Sequence, residues 1–322
     1  MNLAFTSVSQ PKENAVVLSA IEKSVVRSLL YFEIFNHPLR MDEIIQCLDI
    51  PVSEPECVKI QIEQLVENGY IRQQDGYYFI NCKPDVIIRR IQGEELAIKS
   101  LKKAKFFSSI IARFPFVRAV SLSGSISKYY MDKDSDIDYF IITTPGRMWV
   151  ARTLLVLFKK LVLLNSKKYF CVNYFITEES LELKSRNVYS ATELTSIIPT
   201  YNYSLYQFLI ARNSWVNEYY PNFPVRCEKW LVKDRKYFLK KIFEKLLSGK
   251  LGETLDIQFY RMTLRHWKKK FSHFDESTFD HRLRNGRNES KHHPLGYQQR
   301  VLQQLSEKIG NYEHRFELSL RK

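Results

Sequence analysis

Between residues 21 and 80 the apolar positions recur first at helical and then at strand spacing. Ile21, Val25, Leu29, Leu30 and Phe32 fall on one side of a helix that Asn36-His37-Pro38 ends. Residues 41–48 predict a second, shorter helix. A third begins near Glu54-Pro55, where proline is tolerated in the first turn, turns Val58, Ile62, Leu65 and Val66 inward, and stops at Asn68-Gly69. The runs YIRQ and YYFI then read as two short strands around Gln74-Asp75-Gly76, a hairpin turn.

From 84 to 114 the pattern is one long amphipathic helix, with Val86, Ile87, Ile91, Leu96, Ile98, Leu101 and Phe106 set among basic groups. Strands are predicted at 117–122 and 139–143, a helix at 147–164 and a strand at 169–176, an α/β core. Beyond it the pattern is helical, with a polar break at 275–293 and a helix at 298–309 after a loop at His292-His293-Pro294. The expected class is α+β. Five parts are predicted: a flexible N-terminus (1–20), a three-helix and hairpin unit (21–82), a connecting helix (83–114), a mixed-sheet core (115–225) and a helical C-terminal region (226–322).

Composition narrows this picture. The chain has 322 residues, 45% of them hydrophobic and 26% charged, enough for two or three domains with real cores. Its five cysteines form no C-x-x-C pair, which argues against a disulfide framework or thiolate zinc site and for a reduced, cytoplasmic setting. The N-terminus has no basic and apolar succession of the signal-peptide kind. The most apolar stretch, 148–164, is interrupted by Arg152, Lys159 and Lys160 and falls short of the ~20 apolar residues that span a bilayer. Net charge is +14, and residues 226–322 hold 23 Lys and Arg against 12 Asp and Glu. Such a surface attracts polyanions, whether nucleotides, nucleic acid or acidic headgroups.

The candidate chemistry lies in LSGSISKYYMDKDSDIDYFIIT, residues 122–143. In an extended strand, positions i and i+2 share a face, so Asp136 and Asp138 would present two carboxylates side by side with Ile137 turned to the core. Paired carboxylates suit Mg²⁺, which takes oxygen ligands and neutralises a triphosphate. Gly124 and Ser125, at the end of the preceding strand and the start of a helix, would offer backbone N–H groups, a hydroxyl and a helix N-terminus to phosphate. Lys128 follows one turn later and would touch the same phosphates. Asp132 and Asp134 read as solvated turn residues.

An apolar strand ending in Gly124-Ser125, ten intervening residues, and Asp136-Ile137-Asp138 opening a second strand resemble the signature of the DNA polymerase beta-like nucleotidyltransferase superfamily. Lys128 stands where small bacterial members commonly carry arginine, and the likeness covers about 116–176. TTPGRMWVARTLL and CVNYFIT also resemble bacterial nucleotidyltransferase-domain proteins that join a winged-helix-like N-terminus to such a core. The resemblance implies transfer of a nucleoside monophosphate from a nucleoside triphosphate to an acceptor hydroxyl with release of pyrophosphate. Asp136 and Asp138 would hold Mg²⁺, and Gly124, Ser125 and Lys128 would bind the nucleotide. It also implies a third carboxylate, the base, on the third strand, where this chain has Asn173. An amide can coordinate a cation but cannot accept a proton at neutral pH. Glu178 and Glu179, beyond the strand's end, are second choices.

Other readings stay beside this one. Loss of the base would leave a nucleotide-binding or scaffolding protein. Residues 21–82 resemble a winged-helix domain, which would put the third helix in a DNA major groove, but Glu54, Glu56, Glu63 and Glu67 against Lys59 would repel phosphates and favour a packing role. RMTLRHWKKKF, residues 261–271, mixes cations and rings as nucleic-acid binders do, so the basic C-terminal region is a candidate nucleic-acid surface; the plainer reading is a solvated helical face with its rings turned inward. The six histidines after residue 260 show no zinc-ligand spacing.

Overall fold

Ser19 starts the first helix: its hydroxyl accepts from the Glu22 N–H, and the Glu22 carboxylate accepts from the Ser19 N–H. This computed structural model describes residues 18–81, 83, 85–233, 237–283, 285–291 and 296–321. The flexible N-terminus expected over 1–20 lies almost wholly outside them, and the loop expected at His292-His293-Pro294 lies entirely outside. The first helix is α1 (Ala20–Glu33), followed by β1 (Leu39–Arg40), α2 (Met41–Gln46), α3 (Pro55–Glu67), β2 (Arg72–Gln74) and β3 (Tyr77–Phe79). The hairpin gains a third strand, in the order β1-β3-β2. Two residues of β1 are too few to leave an alternating pattern in the sequence. Glu54, Glu56, Glu63 and Glu67 are exposed on and beside α3.

The connecting helix is α4 (Val86–Ile111), tied to the N-terminal unit by charge. Arg90, fully buried, pairs with Glu43 of α2 at 2.7 Å and with Glu94 one turn on at 3.4 Å, and Glu94 also takes Arg40. Gly93 accepts the flat of Tyr130 against its backbone, where any Cβ would fall 2.3 Å from the ring, and its carbonyl accepts from the Met131 N–H. This contact anchors the loop that carries the acidic motif.

The remaining elements are β4 (Val117–Ser123), β5 (Asp138–Thr143), α5 (Met148–Val162), β6 (Cys171–Thr177), α6 (Val188–Ser196), β7 (Ile198–Tyr201), α7 (Tyr203–Arg212), α8 (Phe238–Leu246), α9 (Lys250–Lys270), α10 (Glu276–Arg282), β8 (Glu289–Lys291) and α11 (Tyr297–Phe316). The result is an α+β chain around a mixed five-stranded sheet, ordered β7-β4-β5-β6-β8. β5 runs antiparallel to β4 and parallel to β6, with α5 as the crossover. Alternation along β5 assigns the two faces: Tyr139 and Ile141 pack with Trp149 and Leu155 of α5 and Leu101 of α4, whereas Phe140 and Ile142 pack with Leu194 of α6 and the core of the N-terminal unit.

Residues 226–322, expected to be helical, also give the sheet its fifth strand, β8, which pairs with β6 from Tyr174 to Ile176. α9 packs on α5, and the buried Asp256 of α9 accepts from the Trp149 and Val150 N–H groups at the start of α5, at 2.8 and 3.1 Å. α11 returns to α1: Lys308 pairs with Glu33 at 2.6 Å, and the Tyr312 hydroxyl donates to the Tyr70 carbonyl. No helix among the described residues is long and apolar enough to cross a membrane.

Candidate active site

Ile137, fully buried, is clamped by its backbone: its N–H donates to the Lys168 carbonyl and its carbonyl accepts from the Cys171 N–H. Its neighbours are therefore turned away from the core. Asp138 opens β5 opposite Ser123, and Asp136 lies just before the strand rather than in it. Both line a cavity of about 820 Å³, as do Gly124, Ser125, Lys128 and Asn173, so all six residues singled out by sequence share one space. Its size suits a nucleotide-sized ligand.

Gly124 is there of necessity. Its φ of +70° is strained for any residue with a side chain, and a Cβ would fall 2.5 Å from the Asp138 Oδ2. The turn that follows differs from expectation. Ser125–Lys128 is a four-residue 3₁₀ turn, too short to act as a helix N-terminus, so the dipole expected there is lacking. What remains is the Ser125 hydroxyl, which has no partner among the described residues, and a carbonyl at Gly124 already occupied by the Ser127 hydroxyl and the Lys128 ammonium. Lys128 is not poised for phosphate alone: it pairs at 2.8 Å with Glu193 of α6.

Asn173 reaches the site through a register shift. Tyr139 pairs with Val172 but Phe140 pairs with Tyr174, leaving Asn173 as the extra residue of a bulge, and its Nδ2 donates to the Asp138 Oδ1 at 3.0 Å. The amide thus orients the carboxylate. Glu178 and Glu179 follow the opposite end of β6, where the Glu178 N–H meets the Thr143 carbonyl, and neither lines the cavity. Asp132 is exposed and takes the Tyr130 hydroxyl; Asp134 is exposed as well.

The carboxylates repel one another. Burial raises the Asp138 carboxyl to about 6 from an ordinary 3.8, the charges of Asp136 and Glu193 push the same way, and hydrogen bonds from Cys171 and Asn173 oppose them. Burial also raises the Cys171 thiol well above its usual range, aided by Asp138. A dication would relieve this crowding. Among the described residues no three His, Cys, Asp or Glu side chains form a metal cage, so the protein offers two carboxylates. Mg²⁺ is commonly held by one or two carboxylates, with substrate phosphates and water completing its shell, and this donor set fits that habit.

Several lining residues escaped sequence reasoning. Glu193 carries no motif. His37, just past the turn that follows α1, is buried against Tyr130, and its imidazole is held neutral by burial and by Arg90, Lys128 and Arg40. Arg152, Val156 and Lys159 of α5 form another wall, with Trp267 of α9 behind them. Here a signal existed, since cations interrupting an apolar helix face are costly without a purpose. In the 261–271 run, Trp267 and Phe271 are buried while Arg261, Arg265, Lys268, Lys269 and Lys270 are exposed, the solvated-face arrangement. No family model, curated protein or solved structure matches the chain.

Proposed function

We propose that the protein is a Mg²⁺-dependent nucleotidyltransferase, moving a nucleoside monophosphate from a nucleoside triphosphate to a hydroxyl acceptor. The observation that carries this reading is the mutual dependence of Gly124 and Asp138. The backbone before the acidic strand is bare because the carboxylate lies against it, inside a cavity that also holds Asp136. Asp136 and Asp138 would hold the metal, which when bound neutralises the triphosphate. Ser125 and the bare backbone at Gly124 would receive phosphate oxygens, and Asn173 would keep Asp138 turned toward them. The acceptor oxygen bonds to the α-phosphorus, the bond from that phosphorus to the bridging oxygen breaks, and pyrophosphate leaves. The hydroxyl proton passes to water, because Asn173, a donor here, cannot take it and Glu193, the remaining carboxylate on the wall, is paired with Lys128 beside the Gly124-Ser125 turn. The chain's contribution is positioning and fixed charge.

Asn173 also supports a second reading, a nucleotide-binding protein without turnover that retains the nucleotidyltransferase fold and the winged-helix-like N-terminus. One experiment separates the two. Purified protein with Mg²⁺ and labelled nucleoside triphosphates is assayed for pyrophosphate release and, in parallel, for a rise in Tm. Turnover abolished by Asp136→Asn with Asp138→Asn supports transfer. A metal-dependent rise in Tm with no turnover supports binding alone, and neither response refutes both.

A further inference from the structure

We propose that the cavity contains a second anion subsite, on α5 and across the aspartates from the Gly124-Ser125 turn, where Arg152, Lys159 and Lys167 bind a phosphate group carried by the acceptor. This rests on the transfer reading above and extends it to the acceptor's chemistry.

Arg152 and Lys159 stand seven residues apart on one face of α5, about 10 Å along the helix, and Lys167 lies in the turn that leads into β6; all three line the cavity. The Arg152 guanidinium sits against two rings, 5.4 Å from the centre of Trp149 and 4.9 Å from that of Trp267. Trp149 is itself pinned by its indole N–H, which donates to the Gly286 carbonyl at 3.1 Å. The position is built, and no carboxylate or hydrogen-bond acceptor among the described residues meets the cation. By contrast Arg90, Arg118 and Lys128 each have a carboxylate within 2.8 Å. Lys159 and Lys167 likewise lack a partner among the described residues. Burial lowers Arg152 to about 10, and Lys159 is lowered by burial and by Lys167 and Arg152 beside it. Arg152 and Lys159, partly buried, and the exposed Lys167 have no carboxylate in contact and repel one another, and an anion relieves that cost.

Placement identifies whose anion it is. Cys171, at the start of β6, interacts with Asp138 on one side and with Lys159 on the other, so the cations and the carboxylates flank the same strand end. The Gly124-Ser125 turn lies on the β4 side of Asp138 and the cations on the β6 side. In phosphoryl transfer the attacking and leaving oxygens are roughly in line. With pyrophosphate leaving on the β4 side, the hydroxyl enters from the β6 side, and its compound meets Arg152, Lys159 and Lys167. The acceptor is therefore a phosphorylated hydroxyl compound, either a small phosphate ester or the end of an oligonucleotide.

The test uses the full chain in EDTA without nucleotide. Inorganic phosphate, glycerol phosphate and a thymidine tetranucleotide are titrated while tryptophan fluorescence is followed, because Trp149 and Trp267 flank the guanidinium. Saturable binding is expected, weakened at least tenfold by Lys159→Gln and by Arg152→Gln and not weakened by Asp136→Asn with Asp138→Asn, which removes negative charge from the same cavity. Tighter binding of the tetranucleotide than of glycerol phosphate marks a nucleic-acid acceptor, and the reverse a small ester. Absence of saturable binding, or equal affinity in a folded Lys159→Gln variant, overturns the subsite; Lys159 is only half-buried, so this variant serves even if Arg152→Gln fails to fold. Nucleoside triphosphate binding with Mg²⁺, measured beside it, reports separately on the transfer reading.

Discussion

Replacing Asp138 by asparagine should make the metal-free protein more stable, by an amount that depends on pH. The folded carboxyl is raised to about 6, against 3.8 ordinarily, by burial and then by Asp136 and Glu193. A carboxyl raised on folding is protonated in both states below about pH 4, where it costs nothing. Between about pH 4 and 6 the unfolded chain ionises first, so folding is increasingly opposed, and above that window the full penalty applies. A gap of about two on the pH scale, at ~1.4 kcal/mol each, amounts to about 3 kcal/mol. Asparagine cannot ionise, and its amide oxygen can still accept from the Asn173 Nδ2. Urea unfolding in EDTA should therefore show Asp138→Asn more stable than the parent by about 2 to 3 kcal/mol at pH 8, with the difference vanishing near pH 4. Millimolar Mg²⁺ should raise the parent's stability and leave the variant unchanged. Equal stabilities at pH 8, or a difference that persists at pH 4, would refute the crowding of charge at this strand end.

Three further outcomes are expected. Gly124→Ala, strained by its positive φ and by contact with Asp138, should lose about 1 to 2 kcal/mol in chemical unfolding and most of its metal-dependent nucleotide binding. Glu193→Gln should unfold within about 1 kcal/mol of the parent, since it breaks a partly exposed pair, and should tighten nucleoside triphosphate binding by freeing Lys128 for phosphate; an unaltered affinity would remove Lys128 from the nucleotide's contacts. Arg90→Ala should cost about 3 kcal/mol, because Glu43 and Glu94 lose a buried cation, and limited proteolysis should then cut between α2 and α4 sooner than in the parent.

Much of the site was legible because its logic is local. Ile137 between two aspartates declares a strand start by alternation, and a Gly-Ser pair after an apolar run declares a turn. β7 and β8 were hidden for physical reasons. Ile198–Tyr201 carries Pro199, which reads against a strand and is tolerated because β7 lies at the sheet's edge. Glu289–Lys291 is three polar residues that become a strand only by pairing with β6. Glu193 arrives through the packing of α6, which leaves no periodic mark; Asn173 was legible as a site residue, but not the one-residue bulge that turns its amide to Asp138. Lys128 was correctly placed near the turn, but its engagement with Glu193 depends on a contact 65 residues away.

The cavity takes Phe32 from α1, His37 from just beyond it and Tyr297 from α11. A polypeptide still emerging from the ribosome consequently owns the acidic motif long before it owns a chamber around it. Only when α11 has been made and has settled against α1 are the walls complete. Any chemistry of this pocket therefore waits until residue 297 has been made, and a copy cut short of it would lack part of one wall.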